Sequence, residues 1–526
     1  MELLKLIGAL GAILFPLIFL VGLNLPAKKG MTYSLIIVAI FALFPWRMDG
    51  LSVASSMIAG TIKSLSIIYI LVGAMFLLNI LHRGGLLQTM IHGFQSLTSD
   101  RRLQLIIVGF YFVALLEGAA GFGAPAAIVA PLLVLLGFSP LASVTLALIA
   151  NAVPMTFGAV GTPLVDGIGT PLQLILQDPA VVSAKVNEIS ITSAFVDLFL
   201  GSFMPVLLIL LFTMLFSDKK DRSLHYHLEI LPFAFISGFI YTFIAYLSAR
   251  LIGPEFGTLI ASLLGLLIVM LLIKYRIILP KEEEKREPVA RHELIKAWFP
   301  YVLVVLLLIL SRTLNWLSEF LQAGTIHLTK IFGKPVGASF DMFYSPGFIL
   351  LVVAIIIIFL YRMDKKVVHE SVQETGKTVV KTAFALIPSL AMVYIFLNSN
   401  LNQSGLPAMP DYLANQLSNV FGHRWVYVAP LLGNLGTFIS GSTTTSNLMF
   451  TGIQYRMATI HHVAPLTYLT TQVLGANTGC MISISKIVSA CSVVGLTGKE
   501  GKVMRVTLVV AFVYSLLIGI LVNWIV

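Results

Sequence analysis

The stretch LLEGAAGFGAPAAIVAP, Leu115 to Pro131, decides the fold. It sets one carboxylate, Glu117, in a long apolar region, and Gly118, Gly121, Gly123 and Pro125 follow at once. From Leu103 to Val165, Glu117 is the only charged side chain. A carboxylate at the centre of a bilayer is costly, so an intramembrane ionisable residue is a functional candidate. The glycines and proline argue against a straight helix. Non-helical backbone at membrane depth is tolerated only where protein buries it or it lines a cavity. The stretch therefore predicts a polar site on a broken helix inside a membrane protein.

The composition around it agrees. Of 526 residues, 58% are hydrophobic and only 11% charged, and the mean hydropathy is +0.94. Soluble domains carry about 25% charged residues. The apolar runs approach the ~20 residues that cross a bilayer as a helix, and none alternates as barrel strands do. The expected fold is an all-α polytopic membrane protein with about 12–14 membrane segments, using that spanning length as the ruler. The net charge of +10 lies in short loops between spans, as the positive-inside rule expects, and does not point to nucleic acid. Basic loops at 217–227, 280–296, 362–377 and 498–505 can share the cytoplasmic side, which leaves the C-terminus outside. Lys63, near a span end, is expected to snorkel.

Further apolar runs are read as spans at Leu6–Leu25, Tyr33–Trp46, Thr61–Leu81, Ile191–Phe216, Val379–Leu397 and Val503–Ile525, among others. The stretches His82–Arg102 and Gly161–Ser190 read as polar loops, and Asn398–Arg424 as a polar segment at the surface. The hydrophilic stretch PKEEEKREPVARHELIKAW divides the chain. The division is a first membrane half at 1–222, linking spans and a charged loop at 223–296, and a second membrane half at 297–526.

The halves match in plan. Glu117-Gly118 opens a Gly-rich break, Pro140 follows after 23 residues, and Asn151 interrupts the next span 11 residues later. Gly441-Ser442 opens a polar break, Pro465 follows after 24 residues from Gly441, and Asn477 comes 12 later. Paired interrupted helices in two inverted-repeat halves point to a transporter binding site. The competing reading is chance spacing in a Gly-rich chain.

Broken helices offer chemistry of their own. Free N–H groups at a helix start can hold an anion without Lys or Arg. The run GSTTTSN supplies Ser442, Thr443, Thr444, Thr445, Ser446 and Asn447, each able to hydrogen-bond. A small carboxylate with a neighbouring hydroxyl suits such a surface, with Gly118, Gly121, Gly123, Asn151 and Asn477 as the other expected substrate-binding residues. The alternative is that these groups bond to neighbouring helices. Burial raises a carboxyl pKa, so Glu117 can carry a proton, or it can stay neutral as a structural hydrogen-bonding group. Asp197 is a second, weaker candidate of the same kind. Cys480 and Cys491 form no metal motif, and the adjacent His461 and His462 read as loop residues. No nucleophile elbow, HExxH or Walker loop is present. The chain is therefore not expected to be an enzyme or an ATP-driven pump, and no cofactor or metal is expected.

At these residues the chain resembles the L-lactate permease family. The matching blocks are EGAAGFGAPAAIVAPLLVLLGF, LALIANAVPMTFGAVGTPL, GSTTTSNLMF and GCMISISKIVSACSVVGLTGKE. The resemblance spans nearly the whole chain. It implies proton symport of lactate, glycolate or similar 2-hydroxy monocarboxylates across the bacterial inner membrane, with paired re-entrant hairpins. Two positions depart from it: relatives usually have Asp at Thr443 and Lys at Cys480. That leaves open a different organic anion, or sodium coupling, on the same fold. Without that acid and base, Glu117 is the main proton candidate. Oligomeric state is not legible.

Overall fold

The computed structural model describes residues 2–16, 18–19, 23, 25–119, 121, 124–216, 228–279, 290–496 and 499–526. Gly123 and the basic stretches 217–227 and 280–289 lie outside the described residues, as does Gly498 in the last basic loop.

The chain is an all-α polytopic membrane protein. Among the described residues, ten helices are long and apolar enough to cross a membrane. Shorter apolar helices, Leu3–Pro16, Pro125–Leu135, Pro140–Ala150 and Pro346–Leu360, account for further segments read as spans. The last helix, Glu500–Ile525, is apolar on both sides. Ala511, Ile518 and Val522 face the protein while Leu508, Val509, Phe512, Val513 and Ile520 are exposed. On a soluble protein such a face is a liability; in a bilayer it meets lipid.

Two long helices form a frame. Gly50–Arg83 and Lys365–Leu397 pack along their length. Gly60 lies against the backbone of Leu390 and Ala391, and Gly73 against Gly347 of the helix Pro346–Leu360. Small residues allow this approach where packing rather than water drives helix association. Lys63 does not snorkel: its Nζ meets Asp166 Oδ1 at 2.5 Å, because both side chains stand at the wall of a shared cavity.

The stretches read as loops contain helices. Over 161–190 run the end of Gly158–Val165, all of Gly169–Leu176 and the start of Pro179–Leu200. Asp178 caps the last, accepting from Ala180 N at 2.9 Å, with Pro179 at its first position. Asp followed by Pro is a helix start, and the polar residues beyond it are an exposed helical face. Leu86–Leu97 is an amphipathic helix that buries Leu87, Met90 and Phe94. Met409–Phe421 likewise buries Met409 and Leu413. His461 is the last residue of a helix rather than of a loop, held by Ser418 and Tyr468 at 2.9 Å each. The only sheet among the described residues is a small antiparallel pair, Thr325–Leu328 with Ala338–Asp341, registered Thr325 to Asp341.

Candidate functional site

Glu117 sits near the tip of a helical hairpin. Its first arm is Arg101–Ala119, with π-type turns over Leu105–Phe112. The return arm is Ala124–Leu135, which packs back on those turns and brings Gly137 beside Arg101. Every residue from 102 to 119 is buried, so this arm meets protein and not lipid. That is the setting in which a broken helix at membrane depth is tolerated. Gly121 adopts φ +55 at the tip.

A second hairpin pairs Trp425–Ser440 with Thr443–His461. Gly441 turns the chain at φ +76, a conformation that favours glycine. Ser442 then caps the return arm, accepting from Thr445 N at 3.2 Å. Ser446 Oγ donates to Gly433 O at 2.7 Å and ties the arms together.

Each hairpin is followed by an interrupted helix. Pro140–Ala150 ends at Asn151 and leads into a 3-10 turn, Pro154–Phe157. Ala159, Val160 and Gly161 follow at φ 43, 57 and 76. Left-handed backbone at a β-branched valine is a true outlier, and such strain clusters at functional sites. In the second half, Pro465–Gly479 leads into the 3-10 turn Cys480–Ile482, then Ile484–Val493.

The two interruptions meet. Asn151 Nδ2 donates to Glu117 Oε2 at 2.8 Å and stands 3.8 Å from Cys480 Sγ. Asn477 Nδ2 donates to Thr156 Oγ1 at 2.8 Å, and Thr156 Oγ1 donates to Asp197 Oδ2 at 2.7 Å. Among the described residues, the buried Oδ1 of each asparagine has no hydrogen-bond partner. Lys486, 3% exposed, places Nζ 3.2 Å from Met155 Sδ and within electrostatic reach of Glu117.

The hairpins engage this crossing reciprocally. Gly121 at the first tip lies on Ala159, and Gly441 at the second lies beside Ser485. The first return arm packs on Ile484–Val493, and the second packs on Gly158–Val165. The second contact includes Thr444 Oγ1 to Thr162 Oγ1 at 3.4 Å and Asn447 Nδ2 to Pro163 O at 2.9 Å. A cavity of about 2020 Å³ opens nearby, lined by Val165, Asp166 and Lys63, with Tyr394 and Arg456.

The residues singled out in the sequence thus fall into three places. Glu117, Gly121 and Asn151 are adjacent. Asn477 joins Thr156 and Asp197 across the halves. Ser442–Asn447 form the tip and first turns of the second hairpin, where Ser446 and Asn447 hold neighbouring backbone and Thr443 and Thr445 are buried. Gly118 faces a different element: a Cβ there would stand 2.9 Å from Thr258 Cγ2 and 3.1 Å from Leu259 N. Its small size serves helix packing.

Sequence reasoning misses Lys486, Thr156 and Met155. Lys486 carries a usable signal, being the one charged residue between Pro465 and Leu496. The crossing therefore holds a basic side chain, Lys486, as well as the carboxyls of Glu117 and Asp197.

Hairpins buried in protein, helices broken at facing points and ionisable groups at the breaks are features of membrane-transporter sites. The sequence comparisons specify which kind. Residues 5–526 match the family model described as L-lactate permease, and the chain belongs to that family. It is 29% identical to the L-lactate permease of Escherichia coli (strain K12) over 544 residues, which cover 97% of this chain and 93% of that protein. It is likewise 29% identical to the L-lactate permease of Bacillus subtilis (strain 168), over 96% of this chain and 93% of the relative. The glycolate permease GlcA of Escherichia coli (strain K12) is 28% identical over 98% of this chain and 95% of its own length. The protein is a multi-pass protein of the bacterial inner membrane.

Proposed function

We infer that this protein is a secondary active transporter that carries small 2-hydroxy monocarboxylates, L-lactate with D-lactate and glycolate, by proton symport and alternating access. The names of its relatives support the substrate class. One observation carries the mechanism: a buried carboxylate, Glu117, bonded at 2.8 Å to the asparagine that ends an interrupted helix, where the other half's interrupted helix crosses. In this reading Glu117 takes up and releases the transported proton. Protonation changes its bond with Asn151, because a neutral carboxyl gains a donor and loses acceptor capacity. The substrate binds among Gly121, Gly123, Asn151, Asn477 and Ser442–Asn447, with helix-start N–H groups available to its carboxylate. The reciprocal packing of hairpins and interrupted helices supports a chain of two inverted-repeat halves, 1–222 and 297–526, joined by 223–296. Broken helices facing each other across such a repeat are the geometry of alternating access.

The test is uptake of labelled L-lactate into proteoliposomes under an imposed pH gradient. Accumulation that follows the gradient supports symport, and uptake indifferent to it defeats the proton claim. Competition by unlabelled D-lactate, glycolate and longer acids sets the substrate range.

A further inference from the structure

Among the described residues, Lys486 is a buried ammonium without a conventional acceptor. Its hydrogen bond goes to the thioether of Met155, a weak acceptor, at 3.2 Å. The thiol of Cys480 stands beside it. Among the described residues, its ammonium forms no ion pair within 4.0 Å. Buried charges are normally paired or bonded to several acceptors, because leaving one bare costs more than most folds tolerate. Two other unsatisfied groups belong to the same crossing, the Oδ1 atoms of Asn151 and Asn477. An ammonium lacking an anion and amide carbonyls lacking a donor form a complementary set. A molecule carrying a carboxylate and a hydroxyl satisfies the ammonium and one of the carbonyls at once.

We propose that Lys486 is the substrate-anchoring residue of this transporter, pairing with the carboxylate of the transported acid. The assignment rests on the carboxylate-transport reading above and adds to it the residue that recognises the anion. Met155 and Cys480 keep the ammonium dry without neutralising it. The charge thus stays available to a ligand and discriminates against neutral analogues. Glu117, within electrostatic reach but not ion-paired, leaves the ammonium free to pair with a ligand.

The experiment uses the full-length protein purified in detergent, with L-lactate, glycolate, acetate and the neutral analogue lactamide as probes. Lys486→Met and Lys486→Arg are compared with wild type by equilibrium binding and by thermal unfolding without ligand. Lys486→Met is expected to weaken acid binding by about tenfold to a hundredfold, the scale of a hydrogen bond to a charged group. It should leave lactamide unaffected and raise the ligand-free Tm, since it replaces a bare buried charge with an apolar chain of similar length. Lys486→Arg is expected to retain part of the affinity. Unchanged acid affinity in Lys486→Met, or a lowered Tm with binding lost equally for acids and lactamide, overturns the proposal. If wild type prefers an acid other than lactate and that preference depends on Lys486, the substrate reading fails while the anchor stands. If no probe acid binds, both fail.

Discussion

In the first half an ionisable group sits on the hairpin: Glu117 lies near the tip and bonds to its own half's interrupted helix through Asn151. In the second half the hairpin tip carries only neutral groups, Ser442–Asn447, and an ionisable group sits on the interrupted helix as Lys486. The backbone plan is shared: hairpin, proline-started helix, 3-10 turn, resumed helix. The chemistry is divided, with the acid from one half and the base from the other. Neither half alone holds a complete polar site. A buried charge is tolerated only where partners or a ligand reach it, so both charges depend on the packing of one region against the other.

The sharpest way to break this comparison is to remove the acid. Glu117→Gln should abolish gradient-driven accumulation in proteoliposomes while sparing lactate exchange, because the amide keeps the shape and loses the proton. Accumulation equal to wild type would take Glu117 out of coupling.

Next in size is the bond between the halves. Thr156→Val leaves Asp197 Oδ2 and Asn477 Nδ2 without their partner and should destabilise by about 3 kcal/mol, since each unpaired buried group costs about 1–3 kcal/mol. Thermal unfolding against wild type measures it, and a change under about 1 kcal/mol, the low end of that range, would mean the relay is not structural. Gly118→Leu tests a packing role for a glycine that the sequence assigns to the site. Overpacking against Thr258 and Leu259 costs about 1–3 kcal/mol. Loss of substrate affinity at unchanged Tm would instead return Gly118 to the binding surface.

The smallest effect lies away from both breaks. Asp49 accepts from Lys334 Nζ at 2.6 Å and from Ser52 N at 2.7 Å, capping the helix Gly50–Arg83. The Lys334 bond, then the Ser52 bond, hold its carboxyl down from 3.8 to about 2. A lowered folded-state pKa stabilises above the ordinary value, so this contribution is present above pH 3.8 and fades as pH falls through about 2. Asp49→Ala should cost about 1 kcal/mol of helix capping at neutral pH. The difference from wild type should shrink in acid, and a constant difference would assign the loss to packing.

Much of the site is legible in the sequence. Glu117 stands out as the lone charge from Leu103 to Val165, and the Pro and Asn spacings locate both interruptions. The helices in 161–190 escape a reading by polarity, which takes the stretch for a loop although Asp178-Pro179 marks a helix start. Lys486 escapes because a single cation in an apolar run resembles a snorkelling residue until its burial is known.

The sequence by itself determined the membrane class and the places where helices break. Hydrophobicity, glycine and proline act locally, over one span or one turn. Only the tertiary structure decided that the two breaks face each other, that Gly118 serves packing, and that Lys486 points at a thioether instead of water. Those facts depend on contacts between residues hundreds of positions apart, Asn477 with Thr156 and Lys486 with Met155, which no local pattern encodes.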